Sequence, residues 1–291
     1  MFTRLSHRIP HQLSYRLLAT AGALVATALL SGCATHLGKQ GDATTTTQPT
    51  RHAFTVQRNQ VYSPEGWPQA LMADVYRPAA KGLRPAVLLI HGGGWEVPDR
   101  RHQMESIARR LAERGYVVVN ATYRLAPAHQ HPAPVEDLHQ ALAWMNARSA
   151  ALSIDPSRMA TFGYSAGGHL AALLGAQQPT RAPAVRAVVA GGAPTDLSKW
   201  RSGRLVVQYL GGARDEMPAR YAEASPVTQI KPGHPPVFLY HGQADDLVPV
   251  DHSLDYKAAL DRAGVRNELF LTRGLGHITA FLLDGPAVEA A

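Results

Sequence analysis

From residue 53 onward the apolar positions follow two alternating rhythms. Eight short runs predict strands: Phe54–Tyr62, Leu71–Tyr76, Ala86–His91, Tyr116–Tyr123, Arg158–Gly163, Val185–Ala190, Val237–His241 and Glu268–Thr272. The segments VLLI, YVVVNA and AVVA are apolar on both parities, as in strands covered on both faces. Between these runs the period lengthens. Met104, Ile107, Ala108 and Leu111 recur at i, i+3, i+4 and i+7, and Val135, Leu138, Leu142 and Met145 follow a similar spacing after Pro134, which suits a first helical turn. Strands alternating with helices predict an α/β domain, with a mostly parallel sheet of about eight strands flanked by helices. The first two runs lie close together and predict an antiparallel edge.

Before residue 53 the pattern changes. Residues 1–16 carry Arg4, Arg8 and Arg16 and no acid, and Leu17–Leu30 is an apolar run of 14 residues. A positive start followed by a short apolar run and small residues describes a secretory leader; a spanning helix needs roughly 18 apolar residues or more. The run closes on Leu30-Ser31-Gly32-Cys33, which resembles the lipobox of bacterial lipoproteins. That resemblance implies cleavage before Cys33 and acylation of its thiol, the alternative being an ordinary leader with a chance cysteine. In such lipoproteins Asp after the cysteine favours inner-membrane retention, so Ala34 implies the outer membrane of the cell envelope. Residues 35–52 are polar and Thr-rich, and a flexible linker of that length spans roughly 23 Å. The expected organisation is a leader over 1–32, a lipidated Cys33 with a flexible tether to residue 52, and a globular domain over 53–291.

Composition narrows the function. Apolar residues make up 45% and charged residues 18%, which excludes a disordered chain. Cys33 is the single cysteine, so no disulfide forms within the chain. The formal charge is +7, and three of those positive charges leave with the leader; the remainder is too small and scattered for a nucleic-acid partner. His129 and His131 form an H-x-H pair, but a zinc site needs three or four ligands at suitable spacing and no H-E-x-x-H is present, so no metal or cofactor is expected. The five arginines Arg100, Arg101, Arg109, Arg110 and Arg114, on or beside one helix, read as a solvated face, with contact to anionic lipid headgroups as the second reading. Asp137 reads as serving a helix N-terminus.

Four unusual segments fall at predicted strand ends, where open α/β sheets hold their ligands. Gly163-Tyr164-Ser165-Ala166-Gly167-Gly168 fits G-x-S-x-G between a strand and an apolar helix, a tight turn that pushes Ser165 into the open as a nucleophile. His91-Gly92-Gly93-Gly94-Trp95 leaves backbone N–H groups uncovered; Gly93 and Gly94, with Ala166, are candidate donors to an oxyanion. Asp245 and, second to it, Asp246 follow the strand ending in His241, where an acid could orient an imidazole, whereas Asp251 reads as a helix cap. His277 stands on the glycine-flanked loop Gly274-Leu275-Gly276, with His241 and His252 as competitors. The order Ser165, Asp245, His277 is the order of an α/β-hydrolase triad. His241 more naturally braces the turn that carries Asp245, and Tyr123 and Arg124 the loop beneath the glycines. Trp95 and Tyr164 are candidates to line a substrate pocket, core packing being the alternative for Trp95.

HGGGW, YRLAP (Tyr123–Pro127), GYSAGG and HGQADDLVP together resemble the α/β-hydrolase superfamily, and more narrowly the BD-FAE and hormone-sensitive-lipase-like esterases. YAEASPVTQI…PPVFLYHG (Tyr221–Gly242) is also similar to the BD-FAE pattern, which includes feruloyl and acetyl esterases. The resemblance implies a serine esterase acting on small or short-acyl esters without a cofactor, with Ser165 as nucleophile, His277 as base and Asp245 as orienting acid. It departs from the hormone-sensitive-lipase pattern in lacking a large N-terminal cap before His91. An arylformamidase-like amide hydrolase, or an envelope binding protein on the same fold, are the alternatives. Gly191–Pro235, with Trp200, Tyr209 and Tyr221, is either a small lid or acyl pocket or ordinary helical packing.

Overall fold

Six strands whose side chains are apolar on both faces have nowhere to go but between two helical layers. The computed structural model describes residues 34–38, 51–178 and 184–291; the proposed leader, Cys33 and residues 39–50 of the proposed tether lie outside the described residues. The strands are β1 (Ala34–Leu37), β2 (Phe54–Val61), β3 (Met72–Pro78), β4 (Arg84–Ile90), β5 (Val117–Ala121), β6 (Ile154–Tyr164), β7 (Val185–Gly191), β8 (Val237–Gly242) and β9 (Asn267–Thr272). They make one sheet in the order β1-β9-β8-β7-β6-β4-β5-β3-β2. Strands β4 to β9 run parallel, and β1, β3 and β2 complete the edges in antiparallel pairing.

Alternation along β4 shows how the layers separate. Leu88 and Ile90 join one core cluster with Leu138, Leu142, Leu170 and Leu260, and Val87 and Leu89 join the other with Ile107, Leu111 and Val288. The helices that cover the sheet are α1 (Glu105–Glu113), α2 (Ala133–Ala147), α3 (Ala166–Ala176), α4 (Arg204–Leu210), α5 (Pro218–Glu223), α6 (Asp251–Arg262), α7 (His277–Leu282) and α8 (Gly285–Ala290). In α1 the apolar stripe Ile107, Ala108 and Leu111 is buried, and in α2 Val135, Leu138, Leu142 and Met145 are buried, as their spacing predicts. Among the described residues no helix is long and apolar enough to cross a membrane.

Three expectations are corrected. The sheet has nine strands, because Ala34–Leu37, expected within the tether, pairs with β9. Backbone pairing with an open sheet edge needs no apolar alternation, and His36 adds side-chain contacts, with Nε2 2.8 Å from Glu268 Oε2 and its ring edge-on to Phe238 and Phe270. The arginine stretch is a solvated face only in part: Arg109 is exposed and donates to Glu105, and Arg110 is half-buried against Asp284, but Arg101 is buried and donates to Asp74 and Asp99. Asp137 caps nothing. It is fully buried in α2 and accepts from the Arg124 N–H (2.7 Å), Arg124 Nε (2.8 Å) and Trp67 Nε1 (2.8 Å).

Candidate active site

The chain reverses sharply where β6 meets α3, and Ser165 sits at the turn with φ 56° and ψ −125°. Such a conformation costs a non-glycine residue of order 1–3 kcal/mol and persists where the surroundings over-determine it. They do so here through close approach. A Cβ on Gly167 would lie 2.2 Å from the Ile90 carbonyl oxygen, and one on Gly163 would lie 2.1 Å from that of Gly167. The Ser165 N–H donates to Gly191 O at 2.8 Å, which ties the turn to the neighbouring strand.

The loops after β8 and β9 reach across β7 to this serine. The Ser165 hydroxyl donates to His277 Nε2 at 2.9 Å, and His277 Nδ1–H donates to Asp245 Oδ2 at 2.6 Å. Asp245 Oδ1 accepts from the Leu247 and Val248 N–H groups at 3.0 and 2.8 Å. Burial pushes the Asp245 carboxyl up, but hydrogen bonds from His241, His277 and the Val248 N–H outweigh it and hold the group well below the usual carboxylate range. Tyr164, rather than facing substrate alone, donates its hydroxyl proton to the His277 carbonyl at 2.6 Å and so fixes the histidine's backbone.

The competing residues take other positions. His241 is fully buried, accepts from Ser253 Oγ at Nδ1 (2.7 Å) and donates from Nε2 to Val248 O (2.8 Å), bracing the turn that carries Asp245. His252 is buried and stacks on Trp200 at 4.5 Å. Asp251 lies in the first turn of α6 with its carboxylate 2.8 Å from Lys199 Nζ. Asp246 makes no hydrogen bond to His277 among the described residues.

The glycine loop after β4 borders the serine because β4 and β6 are neighbours in register, Ile90 opposite Gly163. A Cβ on Gly92 would stand 3.3 Å from Ser165 Cβ. Gly93 and Gly94 have φ of 111° and 59°. Among the described residues neither N–H donates to a backbone carbonyl, and Ala166, the first residue of α3, has no helical acceptor for its own. Tyr123 donates to His91 O at 3.0 Å and stacks on the His91 ring at 4.6 Å, while burial lowers the His91 pKa to about 4. Tyr123 thus braces the loop, whereas Arg124 is turned away to Asp137.

Ser165 opens into two clefts that share Gly94, Leu205 and Leu247. The larger, about 430 Å³, is lined by Arg100, Gln103, His277, Ile278, Phe281 and Leu282. The smaller, about 340 Å³, is lined by Trp95, Ala166, Pro194, Trp200, Val206 and Val248. Trp95 forms part of its floor but is 3% exposed, stacked on Tyr209 at 4.6 Å and donating to His169 Nδ1 at 3.2 Å. The Gly191–Pro235 segment is a packed wall: Tyr209 and Tyr221 are buried in the core, Trp200 and Leu205 face the clefts, and Arg204 pairs with Glu96 at 2.7 and 2.8 Å. Sequence reading missed Leu205, Leu247 and Phe281. The one signal available was the apolar spacing of Ile278, Phe281 and Leu282 directly after His277.

Known proteins resemble this chain in sequence and in fold. The BD-FAE family model matches residues 73–260. The esterase LipC of Mycobacterium tuberculosis is 30% identical over 262 residues, covering 81% of this chain and 62% of its own length. The probable carboxylic ester hydrolase LipM of the same organism is 32% identical over 191 residues, covering 59% of this chain and 44% of its own length. The chain thus spans about half the length of the curated relatives it matches. Among solved structures, a truncated carbohydrate esterase from gut microbiota superposes with a TM-score of 0.73 at 23% identity over 83% of this chain and 96% of that one, a likeness of fold. The propionate-bound thermophilic esterase Est2 of Thermogutta terrifontis has a TM-score of 0.64 at 25% identity over 83% of this chain and 95% of that one. The fold is that of the α/β-hydrolases, and the chain belongs to the BD-FAE family.

Proposed function

We propose that this protein hydrolyses small or short-acyl carboxylic esters through a covalent acyl-serine. The observation that carries the reading is the chain of contacts from Ser165 through His277 to Asp245, at 2.9 and 2.6 Å, with unpartnered amides on the Ser165 turn and on the neighbouring glycine loop. His277 Nε2 takes the Ser165 proton as Oγ attacks the ester carbonyl. Asp245, held ionised, keeps the imidazole oriented and balances its charge. The N–H groups of Gly93, Gly94 and Ala166 receive the negative oxygen of the tetrahedral intermediate, and one such donor is worth about 3–4 kcal/mol. The proton on His277 then passes to the leaving alcohol, and water deprotonated by the same histidine releases the acid.

Which cleft holds which half of the ester follows from that proton. The leaving oxygen must come within hydrogen-bond reach of His277, which lines the larger cleft, so the alcohol lies there. The acyl group turns toward the smaller cleft of Trp95, Pro194 and Trp200, whose volume suits short acyl or small aromatic acids. The relatives named as esterases support the same reaction class. The leader and the Leu30–Cys33 motif support synthesis as a lipoprotein held in the outer membrane by acylated Cys33. The hydrolytic reading is tested with p-nitrophenyl acetate and with the same ester series of rising acyl length. It fails if Ser165→Ala leaves the rate intact.

A further inference from the structure

Ala34, the residue after the proposed anchor, and the mouth of the site fall at one end of the sheet. Ala34 pairs with Thr272, the last residue of β9, and His277 follows five residues later. All the parallel strands end at this rim. Cys33 is joined to Ala34 by one peptide bond, about 3.8 Å between Cα atoms. The polar stretch expected to hold the domain away from the lipid therefore follows β1 instead of preceding it, and no leash separates an acyl chain on Cys33 from the sheet.

Apolar side chains gather at the same rim. Leu247 is 54% exposed, Ile278 63%, Leu282 69% and Leu283 53%. Leu247, Ile278 and Leu282 line the larger cleft at its opening. Arg100 lines the cleft and Arg273 is exposed in the loop between β9 and α7; of the acids there, Glu96 is paired with Arg204, and Asp246 is exposed next to Leu247. A patch of this kind around an opening marks contact with lipid or protein. A lipid surface matches both features, because apolar residues settle at the headgroup boundary while nearby cations meet anionic headgroups. Acyl anchoring is itself stable only when more than one signal contributes. At the opposite end of the sheet, Leu83 before β4 is 58% exposed, and the four rim leucine and isoleucine side chains have no counterpart beside it.

We propose that Leu247, Ile278, Leu282 and Leu283 seat on the phospholipid leaflet that holds the Cys33 anchor, with the larger cleft opening toward it. Esters of apolar alcohols dissolved in that leaflet then enter beside Phe281 and Leu282 without crossing water. This rests on acylation of Cys33 and on the alcohol lying in the larger cleft, as proposed above.

The test uses the full lipidated chain in vesicles of phosphatidylethanolamine and phosphatidylglycerol. An acylated Cys33 has no free thiol, so Ile278→Cys, Leu283→Cys and Leu83→Cys each offer one site for an environment-sensitive fluorophore. The expected result is blue-shifted emission, largely lost on adding nitroxide-labelled lipid, at 278 and 283, with neither change at 83. Water-like emission at all three positions overturns the proposal. So does a blue shift that nitroxide lipid leaves untouched, which means a second copy of the chain covers the rim. Uptake of the fluorophore by the unsubstituted chain shows a free Cys33 and removes the anchor on which the proposal stands. Fluorophosphonate labelling of the same samples reports separately on the serine-hydrolase reading.

Discussion

The turn around Ser165 and the walls of the two clefts are built on different principles. At the turn, backbone meets backbone: Gly163 and Gly167 leave no room for a single carbon atom, and β4 and β6 hold the two loops in register. The walls are assembled from side chains of four separate stretches, with Leu205 from α4, Leu247 from the loop after β8, Ile278 from α7 and Trp95 from the glycine loop. In the reaction proposed above, the first region acts on the bond. The second would select the molecule that reaches it and has slack for change, since flexible side chains yield where carbonyl oxygens do not.

Substitutions should separate the two regions by size of effect. Ser165→Ala is expected to lower kcat for p-nitrophenyl acetate by at least about 10⁴-fold, leaving whatever the amides and binding supply. Asp245→Asn should lower kcat by roughly 10³–10⁴-fold with little change in KM, because it disturbs the His277 tautomer while keeping the shape of the turn. Gly167→Val should cost at least about 3 kcal/mol in urea unfolding, or leave the chain insoluble, since a Cβ there meets the Ile90 carbonyl. Leu205→Ala should change the ratio of kcat/KM between butyrate and acetate esters by about tenfold with modest loss of stability, the scale of a one- to two-methylene change in a pocket. A Leu205→Ala enzyme as crippled as the Ser165 variant would erase the distinction drawn here.

Acid should act on the scaffold through a third group of residues. Burial lowers the pKa of His91 to about 4, of His169 to about 3 and of His252 to about 4. The unfolded chain protonates these rings near pH 6.5 while the folded chain keeps them neutral, so folding stability is full above pH 6.5 and falls as pH drops toward 4. Each ring contributes about 1.4 kcal/mol per pH unit within that window. Urea midpoints at pH 7.5 and pH 5 check this, the lower midpoint being expected at pH 5.

Eight of the nine strands are legible in the sequence, the central ones because burial on both faces forces continuous apolar runs, and the edge strand β2 because half-buried Phe54 and Val56 alternate with exposed Thr55 and Gln57. The strand β1 is not, since the four residues Ala-Thr-His-Leu carry no apolar run; backbone pairing holds them, with His36 against Glu268 and Ala34 and Leu37 against the core clusters. Around the site, Ser165, Asp245 and His277 stand out as short motifs at strand ends. Leu205 and Leu247 do not, because a wall residue differs from any other leucine only in what lies opposite it after folding. Asp137 misleads for a related reason: near the start of a helix it looks like a cap, and only the return of Arg124 and Trp67 shows its buried ion pair.

The neighbouring placement of β4 and β6 bears on how such a protein diversifies. The loop with the open amides and the turn with Ser165 leave adjacent strands at the centre of the sheet, each clamped by partners on both sides. Exchanges at the cleft-facing Trp200 and Leu205 leave the pairing of β4 with β6 in place, whereas Gly191, Tyr209 and Ala224 of the same segment touch Ser165, Trp95 and His169 and are not free to change. A lineage built on this plan is free to retailor its diet while inheriting its chemistry intact.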